Sequence, residues 1–91
     1  LSKSDIISEI LAGDEQVVVE LYNQYKEEFI KWSGFRFQFD RDDALDVFQD
    51  VVISFYENVR NGKLQQVDYK LKTYLFAVGK NMILNRIKYN Q

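Results

Sequence analysis

The 91-residue chain contains neither cysteine nor histidine. Without cysteine it can build no disulfide framework and no thiolate metal site. Without histidine it lacks the commonest general base and the commonest nitrogen ligand for metals. Proline is absent as well, and glycine occurs four times, at positions 13, 34, 62 and 79. No apolar run approaches the roughly 20 residues that a membrane-spanning helix needs. A glycine-rich phosphate loop and a nucleophile–base pair are also missing, so the chain is not expected to be an enzyme and no cofactor is expected. Asp42–Asp43 and Asp46–Asp50 are paired carboxylates at turn spacing that could hold Mg²⁺. A helix N-terminus and a solvated face account for them more simply. A cytoplasmic protein of a reducing compartment fits these absences.

Hydrophobic residues make up 46% of the chain, including seven Phe, six Tyr and one Trp, which is enough for the packed interior of one small domain. The net charge of −2 conceals a polarity. Residues 1–59 carry 5 Lys/Arg and 13 Asp/Glu, whereas residues 60–91 carry 7 Lys/Arg and the single acid Asp68. Two partners of different chemistry, one of them a polyanion, would account for this division, and so would chance clustering on solvated faces.

Periodicity predicts an all-α fold, a compact bundle of three long helices and a short N-terminal one. Gly13, Gly34 and Gly62 read as punctuation. Residues 4–12 form the short helix, with Ser4 as its N-cap and Gly13 as its end. Asp14 caps a second helix whose apolar face is Val18, Leu21, Tyr22, Tyr25, Phe29 and Trp32. After Gly34, residues 35–39 either fray or add a turn. Asp40 caps the third helix, with acids at 42 and 43 suited to the positive end of its dipole. Its buried stripe is Ala44, Val47, Phe48, Val51, Val52, Phe55 and Val59, and Asn61-Gly62 ends it. The fourth helix starts near Asp68 and reaches Tyr89. It has one apolar face at Leu71, Leu75, Val78 and Met82 and a second at Phe76, Ile83 and Ile87.

Two surfaces could carry function. Opposite the apolar arc of the third helix, Asp46, Gln49, Asp50, Ile53 and Glu57 fall with Asp43 within about 120° of the wheel. An apolar centre with an acidic and amide rim is a form of helix-docking surface, although a solvated face with one exposed Ile has the same composition. In the fourth helix Lys72, Thr73, Tyr74, Lys80, Asn81, Asn85, Arg86 and Lys88 combine cations, an aromatic ring and amides. Such residues follow phosphates, stack on unpaired bases and read base edges. Tyr74 fits equally well as a bundle aromatic with a wet hydroxyl.

Three segments in order resemble bacterial sigma factors of the extracytoplasmic-function type. LAGDEQVVVELYNQY resembles the family's L-x-x-G-D start and L-Y-x-x-Y helix. DDALDVFQDVVISFY resembles its D-A-x-D-x-x-Q-(E/D) helix, and LKTYLFAVGKNMILNRIK its F-(R/K)-T-W-L-x-x-(I/V)-A-x-N helix. The match runs over residues 6–88. The resemblance implies the region 2 domain of such a factor. Asp46, Gln49, Asp50, Ile53 and Glu57 would then dock on the clamp coiled coil of the largest RNA polymerase subunits. The fourth helix and the loop before it would take the non-template strand of the promoter's melted minus-ten element. Lys72, Thr73 and Tyr74 would lie at the melting edge, Asn81 near a base pocket, and Lys80, Arg86 and Lys88 on phosphates. Lys63, Gln65 and Gln66 are loop candidates.

An anti-sigma factor is a third candidate partner, one that would silence the domain by covering both faces. Leu45 replaces a usual acid, which makes the docking rim less charged than is typical, whereas Tyr74 replaces a usual Trp, Leu71 a usual Phe and Asn85 a frequent Asp, which bears mainly on promoter preference. The family's second helical domain, which reads the minus-thirty-five element, is not contained in these residues. The chain is therefore expected to be one domain of a longer factor. A helical interaction module that kept this fold but lost strand binding is the alternative. A double-strand-reading helix-turn-helix is disfavoured by the long fourth helix.

Overall fold

The computed structural model describes residues 3–67 and 70–89, with side chains from Ile6 onward. They form α1 (Lys3–Leu11), α2 (Gln16–Phe37), α3 (Arg41–Arg60) and α4 (Leu71–Tyr89), and the described residues contain no strand. The expected all-α bundle is thus the fold. α1 begins one residue ahead of Ser4, the expected cap, whose side chain lies outside the described residues. At its end the Gly13 N–H donates to the Ile10 carbonyl (2.9 Å) and the Asp14 N–H to that of Glu9 (3.1 Å). Gly13 itself sits at φ 88°, so the helix closes in a Schellman motif that needs a residue without Cβ strain. The Arg60 guanidinium, from the far end of α3, donates to the Ile10 and Leu11 carbonyls at 3.2 and 3.3 Å. A cation there complements the negative end of α1.

The cap position of α2 falls on Glu15, whose side chain makes no cap bond, and the expected cap, Asp14, stands one residue earlier, its carboxylate accepting from the Gln16 N–H at 3.0 Å. Gly34 does not interrupt that helix. α2 runs through it to Phe37 and stops at Gln38, which adopts left-handed φ 52° and ψ 37° and whose N–H donates to the Gly34 carbonyl at 3.0 Å. Punctuation falls four residues later because an isolated helical glycine costs only ~1 kcal/mol against alanine, which tertiary packing can override. Asp40 caps α3, accepting from the Asp42 N–H at 3.0 Å. Arg41, the first residue of α3, forks onto the Glu27 carboxylate at 3.1 and 3.5 Å and ties the two helices. After α3, the Asn61 carboxamide oxygen accepts from the Lys63 N–H (3.0 Å), Gly62 takes φ 82°, and Leu64 and Val67 turn inward. Asp68, the expected start of the last helix, lies outside the described residues, and α4 begins at Leu71.

All seven residues predicted for the buried stripe of α3 are buried. On α2 the buried line is Val17, Leu21, Phe29 and Ser33, whereas Val18, Tyr22, Tyr25 and Trp32 flank it half-buried. The Ser33 hydroxyl remains satisfied there by donating to the Ile30 carbonyl at 3.2 Å. α4 buries Leu71, Leu75, Gly79 and Ile83, one residue per turn. Ile83 therefore belongs to the line of Leu71 and Leu75 and not to a second face, while Val78, Met82, Phe76 and Ile87 pack along the two edges. Phe29 organises the interior. Its ring stacks on Phe48 (4.8 Å), meets Phe76 edge-on (5.2 Å at 90°) and touches Trp32 (5.5 Å). Gly79 lies against the same ring, and a Cβ there would come within 2.7 Å of Phe29 Cζ. α2 and α4 cross at that contact. The bundle measures 40 × 22 × 22 Å, so the outer faces of α3 and α4 run along its length.

Candidate functional site

Burying the stripe from Ala44 to Val59 turns Asp46, Gln49, Asp50, Ile53 and Glu57 outward, and all are exposed. Ile53 is 38% exposed, an apolar residue in the middle of that face. Beside it, Gln49 and Ile53 border a groove of about 230 Å³ whose other wall is Val18, Val19 and Tyr22 of α2. Val19 is 48% exposed, and a second depression places Tyr56 beside it. The apolar part of this face therefore spans two helices. The apolar periodicity of α2 does not single out Val19, yet the sequence holds a signal for it. In the run Val17-Val18-Val19 successive residues lie ~100° apart, so one helix cannot bury all three in a single direction.

The cations of α4 do not share one face. Lys72, Thr73 and Lys80 line a groove against α2. Asn81, Asn85 and Lys88 are exposed, and helical spacing turns them about 80–140° away from Lys80, further round the solvent side of the helix. Arg86 turns toward α3 and approaches the Asp50 carboxylate at 3.8 Å. Lys72 pairs with Glu28 of α2, and its Nζ stands 5.7 Å from the centroid of Phe76. Tyr74 is half-buried, with its ring centroid 5.9 Å from that of Phe55. It is a bundle aromatic with a partly wet ring, because its place on α4 is next to the buried line through Leu71 and Leu75. Lys63 is exposed in the connection between α3 and α4, with Gln65 and Gln66 also exposed.

The Glu27 carboxyl lies below its ordinary range because Arg41 hydrogen-bonds and attracts it, and Arg41 is raised in turn. This pair belongs to the α2–α3 joint. Among the described residues no group of three or more acids converges where a metal ion could sit, and no helix is long and apolar enough to cross a membrane.

The molecule thus offers an acidic, amide-bearing strip with an apolar centre on α3 and a cationic helix beside it. It is a helical domain in which α3 and α4 present different chemistry to solvent. Residues 21–91 match the model of the Sigma-70 region 2 family, and the chain belongs to that family. No curated protein and no solved structure gives a match. Membership makes the chain a sigma-factor domain of transcription initiation, and RNA polymerase core and promoter DNA are the partners that the family implies.

Proposed function

We propose that the chain is the promoter-melting domain of an extracytoplasmic-function type sigma factor, one domain of a longer protein of the bacterial cytoplasm. The outer face of α3 docks on the clamp coiled coil of RNA polymerase through Asp46, Gln49, Asp50, Ile53 and Glu57. Val18 and Val19 of α2 extend the apolar centre of that surface. α4 and the connection before it capture the non-template strand of the minus-ten element. Lys72, Thr73 and Tyr74 stand at the melting edge, Asn81 and Asn85 face the bases, and Lys63, Lys80, Arg86 and Lys88 meet phosphates. No bond is made or broken. Flipping a base costs a few kcal/mol, and stacking and ionic contacts to the released strand, at about 1–3 kcal/mol per stacked base, offset it.

The observation that carries this reading is the adjacency of the two faces, with Arg86 of α4 reaching Asp50 of α3 at 3.8 Å. A strand drawn along α4 would run beside the docked polymerase, which is what opening a promoter on the enzyme requires. The test is a titration of the domain against an isolated clamp coiled coil. Gln49→Ala with Asp50→Ala should weaken binding roughly tenfold, the loss of about 1.4 kcal/mol at an interface centre. Circular dichroism should stay unchanged, since both side chains are exposed. Equal binding by the variant, or no binding by folded wild type, would leave a helical interaction module without this role.

A further inference from the structure

The groove between α2 and α4 has a volume of about 410 Å³, within the range of small-ligand pockets, roughly 300–1,000 Å³. Trp32 of α2 and Phe76 of α4 form its aromatic floor, with centroids 5.1 Å apart and planes inclined at 42°. Both rings are half-buried, so each keeps part of its surface open. Phe29 at 5.5 Å and Phe37 at 5.6 Å fix the indole from behind, which makes it a platform that loses little freedom on binding. Lys72 and Lys80 stand at the groove, eight residues and so ~12 Å apart along α4. A platform flanked by two cations suits a base with a phosphate on either side. Glu28 is the exception. It lines the same groove and holds Lys72 in an ion pair.

We infer that this groove is a nucleotide subsite for single-stranded DNA, in which one unpaired base stacks on the Trp32 indole with the inclined ring of Phe76 bordering it, while neighbouring phosphates engage Lys72 and Lys80. The proposal rests on the promoter-strand reading above and adds to it a site on the flank of α4 away from Asn81 and Asn85. Glu28 acts as a competitor for Lys72. An incoming phosphate must displace its carboxylate, and only a strand whose base can enter the groove gains the stacking that offsets this. Duplex DNA offers phosphates but no free base, so Glu28 biases the groove against it.

Trp32 is the only tryptophan in the chain, so its fluorescence reports this groove alone. The experiment titrates the protein with a short oligothymidylate and, separately, with an abasic deoxyribose-phosphate strand of equal length, following Trp32 emission and strand anisotropy together. Oligothymidylate should quench Trp32 saturably and the abasic strand should not. Glu28→Gln should tighten binding of both strands, roughly two- to fivefold, the range expected for releasing an exposed ion pair of 0.5–1 kcal/mol. Phe76→Leu, which keeps an apolar side chain in the core edge, should weaken oligothymidylate and leave the abasic strand unchanged. If oligothymidylate binds and Asn81→Ala weakens it while Trp32 emission does not respond, the strand lies on the Asn81 side of the helix. The subsite is then overturned and the promoter-strand reading stands. If the folded protein binds neither strand, both fall.

Discussion

Gln38 occupies a position whose backbone is left-handed, and only glycine enters that region without cost. The chain nevertheless places there a residue whose side-chain amide donates back to the Phe35 carbonyl at 3.2 Å. That bond is exposed and so worth less than the backbone penalty. Gln38→Gly is therefore expected to stabilise the fold by about 0.5–1 kcal/mol, read as a rise in the urea midpoint with unchanged slope. Arg60 shows how residue identity alone misleads. It counts with the basic third of the sequence, yet its guanidinium is spent on the carbonyls that end α1. Arg60→Ala should cost about 1 kcal/mol and speed amide exchange in α1 before any other helix. The Glu27–Arg41 pair supplies a pH signature. The carboxyl of Glu27 is depressed in the folded state, so its contribution is complete above its ordinary pKa of 4.5 and fades as pH falls through the lower folded value. Arg41→Ala should reduce the acid-side loss of stability, a small effect because both groups are exposed.

At the scale of helices, the contact that sets α2 against α4 is Gly79 on Phe29. The family pattern quoted above has alanine at this place, and here the Phe29 ring fills the space of the missing methyl. Phe48, Phe76 and Trp32 surround that ring, so it cannot swing away. Gly79→Ala is expected to destabilise by about 1–3 kcal/mol through overpacking. Phe29→Leu should recover part of the loss in the double variant, a coupling that thermal melts of the four proteins of the cycle would measure. This crossing also explains what periodicity could and could not give. The stripe of α3 was legible in full because one helix packed on three neighbours buries a wide, uniformly apolar arc. On α4 the buried line passes through Gly79, which carries no hydropathy signal, and periodicity therefore sets Ile83 on a separate face. On α2 Leu21 and Phe29 are buried as expected, but the inward line also takes Val17 and Ser33, with Val18 and Trp32 at its edges. Val17 and Val18 are chemically identical, and only the neighbouring helix decides which of them points inward.

For the molecule as a whole, the division between an acidic first part and a basic last part was legible by counting. Its geometry was not, because pairing across helices depends on how α3 and α4 lie together. In the fold Asp50 and Arg86 face each other at 3.8 Å, so the proposed polymerase face and the proposed strand face share a boundary where each holds one charge of a pair. Asp50 repels any phosphate brought to Arg86, and it is itself a contact proposed for the clamp. Replacing it should therefore move the two affinities in opposite directions. Asp50→Asn, which keeps size and helix face, is expected to weaken clamp binding and to strengthen single-strand binding. The gain should be no more than about fivefold, because an exposed pair at this separation is worth less than ~1 kcal/mol. Raising salt should shrink the gain, since the strand's affinity falls with salt and screening weakens the repulsion that the variant removes. Parallel titrations with the clamp coiled coil and with a single-stranded oligonucleotide at low and high salt measure all of this. A variant that merely loosened the bundle would lose both affinities together. A variant with unchanged strand binding would mean that Arg86 lies outside the strand's path, which would leave Lys72, Lys80 and Lys88 as the phosphate contacts of α4.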